Sequence, residues 1–101
     1  MQVGTLTGLE ENAGAAAELL KLMANERRLL ILCHLATNGE MTVGELADAV
    51  GLSQSALSQH LGRLRDDGLV AFRREAQTLH YRVTDRKAVR LLKTLKQIFC
   101  P

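Results

Sequence analysis

Between Gly51 and Val70 the chain reads GLSQSALSQHLGRLRDDGLV, and its apolar positions recur at helical spacing. Leu57, Leu61 and Leu64 fall on one side of a helix advancing about 100° per residue, while Ser55, Ser58, Gln59 and Gly62 fall on the other. Ser53 is a good N-cap, and Gly68 suits the C′ position that ends such a helix near Asp67. The outward face carries no acid in its first turns, only small hydroxyls and an amide. Side chains of this kind can bond to base edges in a major groove without repelling phosphates.

The same periodicity predicts the elements around this helix. Leu9, Ala13, Ala16, Leu20 and Met23 form a stripe on a helix from about Leu9 to Met23, widened by Ala17, Leu19 and Leu22; residues 1–7 are expected to fray. Asn25 caps a second helix, about Glu26 to Ala36, rich in leucine. Thr42 and Glu45 have the spacing of a capping box for a short helix, Val43–Val50, with Leu46, Ala47 and Val50 inward. That helix, the turn at Gly51 and the long helix make a helix-turn-helix over about 43–67. After Gly68 the period drops to two. Leu69–Arg74 and Thr78–Val83 read as a hairpin joined by Glu75-Ala76-Gln77, a wing over about 70–83. Thr84 is placed to cap a last helix, about Asp85 to Phe99, in which Val89, Leu91, Leu92, Leu95, Ile98 and Phe99 wrap most of the circumference.

The expected fold is therefore α+β and mainly α: a single winged helix-turn-helix domain spanning 1–101, with four helices, a two-stranded hairpin and a fifth helix. The first and last helices, about 9–23 and 85–99, carry more apolar surface than a lone chain needs, which predicts a homodimer joined through them. Two-fold symmetry would then present two reading helices to a near-palindromic site.

Composition sharpens this in two places. Aromatic content is 3%, so the core must be aliphatic. Net charge is only +2, but it is unevenly divided: residues 1–50 hold three bases and seven acids, whereas residues 51–101 hold ten bases and four acids. A basic field around the reading helix is what a phosphate-binding surface requires. No apolar run is long enough to span a bilayer, and the first residues lack a basic start and apolar core of a signal peptide, so the expected site of action is the cytoplasm.

Gln54, Ser55, Ser58 and Gln59 are the candidates for base reading. Arg63, Arg65, Arg73 and Arg74 are placed for phosphates, with Gln77 near the hairpin tip. An enzyme is the opposing class. The chain has no G-x-S-x-G, P-loop or HExxH pattern and no convincing carboxylate pair. Cys33 and His34 are adjacent on a helix and point about 100° apart, so they cannot form a nucleophile–base pair. A dimeric protein-interaction module without DNA binding stays open. Cys33 and Cys100 show no CxxC or metal-ligand spacing; Cys33 has the bland reading of a small buried hydrophobe and Cys100 that of an idle terminal thiol.

The order of elements, together with MANERRLLIL, TVGELADAVGLSQSALSQHL, the RREAQTLHYRV hairpin and IFCP, resembles the ArsR/SmtB family of bacterial winged-helix regulators from about Ala15 to Cys100, and most of all its metal-independent, thiol-switch branch. In metal-sensing relatives a Cys-x-Cys-Asp-Leu segment lies where this chain has Thr42-Val43-Gly44-Glu45-Leu46, and others use Asp and His pairs on a last helix that here has no histidine. The resemblance therefore implies no metal and no cofactor. It also implies that Cys33 and Cys100 sense oxidants or reactive sulfur species, closing an intrasubunit disulfide or polysulfide that changes DNA affinity. Arg27, Arg28 and Lys96 are candidate cations for lowering a thiol pKa.

Overall fold

Thr42 and Ser53 show how local chemistry sets the central unit. In the structure, a computed structural model describing residues 5–100, α3 (Val43–Val50) begins at a complete capping box. The Thr42 hydroxyl accepts from the Glu45 N–H at 3.2 Å, and the Glu45 carboxylate accepts from the Thr42 N–H at 2.9 Å. Gly51 ends this helix in the left-handed region, φ 68°, and Ser53 accepts from the Ala56 N–H at 3.1 Å to start α4 (Gln54–Asp66). Gly68, at φ 79°, ends α4. The Gly68 N–H donates to the Arg65 carbonyl and the Leu69 N–H to that of Leu64, a Schellman closure that delivers the chain into the wing.

The remaining helices are α1 (Thr7–Met23), α2 (Glu26–Asn38) and α5 (Arg86–Phe99). The helix-turn-helix and wing stand where the sequence predicts them. Three details differ. Helix α1 begins two residues early and α2 runs two residues further, to Asn38. The cap of α5 is Asp85, whose carboxylate accepts from the Ala88 N–H at 2.9 Å, whereas the Thr84 hydroxyl turns back to the Gly68 carbonyl. The hairpin, β2 (Val70–Glu75) and β3 (Thr78–Val83), gains a third strand, β1 (Met41–Thr42), in the order β1-β3-β2, all antiparallel. Two residues are too few for alternation to betray a strand. Ala76 makes the tip turn at φ 56°, a left-handed conformation uncommon outside glycine. Residues 1–4 of the stretch expected to fray lie outside the described residues, as does Pro101.

Among the described residues, nine large side chains are almost wholly removed from solvent: Ile31, Leu32, Leu35, Leu46, Leu57, Leu61, Leu64, Leu69 and Leu92. The aliphatic core demanded by the composition sits where α2, α3 and α4 meet the sheet and α5. Phe72 and Tyr81 pack with ring centroids 5.4 Å apart on its sheet side. Helix α1 joins this core mainly through Met23, with Leu19 and Leu22 half-buried, while Leu9 and Leu20 remain 56% and 55% exposed.

Candidate nucleic-acid interface and thiol cavity

Burial of Leu57, Leu61 and Leu64 fixes the rotation of α4, so its opposite side must face outward. Gln54, Ser55, Ser58 and Gln59 are all exposed on that helix, and His60 lies half-buried at its core edge. The amide nitrogen of Gln54 leans over α3, 3.9 Å from where a Cβ on Gly44 would stand. Arg63 and Arg65 lie in the last turn, favoured there by the helix dipole. The Arg65 guanidinium sits 5.1 Å from the centre of the Phe72 ring, which ties the end of α4 to β2.

The wing divides its arginines between two faces. Paired positions in the register share a face and neighbours in a strand do not. Arg74 is therefore on the side of Phe72 and Tyr81, and Arg73, opposite His80, is on the other. Both are exposed, as is Gln77 in the tip turn. Arg73 meets anions of its own protein. Its Nε donates to both Glu40 oxygens at 3.0 and 3.1 Å, its Nη2 to Glu40 Oε1 at 2.8 Å, and its Nη1 to Glu75 Oε2 at 2.7 Å. These charged hydrogen bonds hold Glu40 and Glu75 below the usual carboxylate range and raise Arg73 above the usual guanidinium value. His80 lies 3.8 Å from Glu40 and 4.0 Å from Glu75. Glu45 is lowered too, by the Thr42 N–H that it caps. Sequence reasoning did not find Glu40: it carries no motif and sits in the connection before β1.

Cys33 and Cys100, distant in sequence, line one cavity of about 570 Å³ between α2 and α5. Its walls are largely apolar, with Leu29, Leu92 and Phe99, and its polar edge includes His34, Lys93 and Lys96. Both thiols are free; Cys33 is half-buried and Cys100 exposed. Burial pushes the Cys33 thiol up, the neighbouring Cys100 pushes the same way, and Lys96 pulls it down. Of the three cations singled out by sequence, only Lys96 acts on this thiol; the guanidinium of Arg27 donates to the Val50 carbonyl instead, at 3.3 Å. A second, larger groove of about 1000 Å³ runs between α1 and α5, lined by Leu9, Leu19, Leu20 and Leu91. Among the described residues no group of three or more His, Cys, Asp or Glu side chains is placed to hold a metal ion, and no helix is long and apolar enough to cross a membrane.

The profile for bacterial regulatory proteins of the arsR family matches residues 25–71, from the cap of α2 into β2. The transcriptional activator HlyU of Vibrio cholerae is 50% identical over 95 residues, covering 94% of this chain and 87% of that protein. The chain belongs to the arsR family. The structure of reduced HlyU from Vibrio cholerae agrees with a TM-score of 0.85 at 50% identity, covering 95% of this chain and all of the other. The HlyU regulator of Vibrio vulnificus gives 0.87 at 52% identity, with 94% and 98% covered. The transcriptional repressor BigR of Xylella fastidiosa gives 0.87 at 41% identity, with 96% and 98% covered. These arsR-family proteins are transcription regulators, not enzymes.

Proposed function

We propose that this protein is a homodimeric, sequence-specific DNA-binding regulator of transcription in the bacterial cytoplasm, whose affinity for a near-palindromic operator is switched through Cys33 and Cys100. The observation that carries the DNA reading is the exposed, acid-free face of Ser55, Ser58 and Gln59, held outward by three fully buried leucines. In this reading those residues and Gln54 read base edges, Arg63, Arg65 and Arg74 meet phosphates, and Gln77 approaches from the wing tip. Exposure of Ile98 at 65% and Phe99 at 75%, with Leu9 and Leu20 on α1, supports a dimer closed through the terminal helices.

The shared cavity supports the switch. An oxidant would take two electrons and two protons from the thiols to leave a disulfide. Two persulfide molecules would instead leave a trisulfide, releasing two thiols and one hydrogen sulfide. Either bridge ties α2 to α5, and because α5 also belongs to the dimer surface, the spacing of the two reading helices changes with it.

Gel-shift titration against the promoter region of the chain's own gene tests the first part. Salt-dependent binding that distinguishes this duplex from a scrambled one is expected, whereas binding indifferent to salt and sequence would point to a protein-interaction module. For the second part, mass spectrometry after persulfide or peroxide treatment should show the Cys33 and Cys100 peptides joined and DNA affinity altered. Cys33→Ser and Cys100→Ser should lose both effects. Unchanged affinity in bridged wild-type protein would reduce the cysteines to structural residues.

A further inference from the structure

We propose that Glu40 is a positioning residue of the wing, and that Arg73, the residue it grips, is an internal strut and not a phosphate contact. The proposal rests on the DNA-binding reading and assigns work within it. Thr42, His80 and Arg73 stand in one row across the three strands, β1 to β3 to β2. The Arg73–Glu40 bridge follows this row, reaching from the outer strand of the wing to the connection just before β1. Two residues further on, Thr42 caps α3, the first helix of the helix-turn-helix. The bridge therefore ties the wing to the start of the reading unit by a route that avoids the tip turn.

Chemistry favours the strut. Nε, Nη1 and Nη2 of Arg73 each already donate to a carboxylate oxygen. A DNA phosphate would find only the two remaining N–H groups of a guanidinium whose charge two carboxylates already neutralise, and both acids would face its anionic oxygens, so the contact gains little. Arg74 carries no such burden. It shares its face with Phe72, the ring that Arg65 of α4 covers, so Arg74 and α4 look to one side of the wing while the strut lies on the other.

The test is the salt dependence of binding to a mixed-sequence DNA duplex, which reports phosphate contacts without knowledge of the operator. Arg74→Met should lower the slope of log affinity against log salt by about one. Arg73→Met should weaken binding while leaving that slope at the wild-type value. The charge-exchanged pair Glu40→Arg/Arg73→Glu should recover most of the affinity lost in Arg73→Glu alone. In hydrogen exchange, Glu40→Gln should raise opening of the β2–β3 amides about two- to fivefold, as expected for an exposed ion pair. A slope that falls as far for Arg73→Met as for Arg74→Met, or an exchanged pair no better than Arg73→Glu, would overturn the strut. In both cases wild-type binding, and the DNA reading, would stand. Wild-type protein with no salt-dependent duplex binding would remove both.

Discussion

Helices α4 and α5 are nearly equal in length, each starts at a side-chain cap and each has a leucine-rich face, yet they meet solvent differently. Helix α4 hides all its leucines and shows serine, glutamine and arginine. Helix α5 buries only Ala88 and Leu92, and leaves Ile98 and Phe99 mostly exposed. When every apolar side chain of a helix is satisfied internally, the chemistry left outside is available for a polar ligand. When large apolar side chains remain outside, the protein is missing a surface to cover them. In the proposed reading, the finished helix offers recognition and the unfinished one is covered by a second chain.

Leu61→Ala should have the largest effect, because it opens a cavity behind α4: a loss of about 2–5 kcal/mol in denaturant unfolding. A loss well below 1 kcal/mol would mean that α4 is not anchored as its burial indicates. Phe99→Ser comes next, acting on the other side of the contrast. Covering such a side chain in a dimer is worth on the order of 1.5–3 kcal/mol, so sedimentation should show dimer dissociation strengthened roughly tenfold or more. A dimer of unchanged strength would place the missing surface elsewhere. Gln59→Ala should leave folding intact and reduce discrimination at one base pair by about 1–3 kcal/mol, measured by competition among singly substituted duplexes. Uniform weakening on all duplexes would make Gln59 a positioning contact.

Ser53→Ala and Asp85→Ala should each lower stability by about 1 kcal/mol. Equal losses would show that the two helices start by the same means and differ only in what covers them; a much larger loss at one end would shift the contrast to helix initiation. Lys96→Met tests the smallest difference. Lys96 favours the Cys33 thiolate, so its removal should push that thiol further up. Less thiolate is then present at neutral pH, and alkylation of Cys33 should slow, with its pH profile displaced to higher pH. A profile that does not move would separate Lys96 from the thiol.

Much of this arrangement is written in local sequence. The capping box at Thr42 and Glu45, the Ser53 cap and the Gly68 stop place the helix-turn-helix to within a residue or two, because hydrogen bonds three or four residues apart need no distant partner. The outward direction of Ser55, Ser58 and Gln59 follows from leucine spacing alone. Pairings between distant residues were not legible. Strand β1 exists only because β3 lies beside it, and the grip of Glu40 on Arg73 crosses 33 positions with no motif at either end. The sequence distinguished Cys33 and Cys100 by type and, through family resemblance, as a pair. Their common cavity is a product of α2 packing on α5. Periodicity and caps are properties of neighbours along the chain, so one sequence determines them. Which arginine stays free for a ligand, and which thiols share a space, depend on side chains that meet only after the core has formed, and tertiary structure alone decided those.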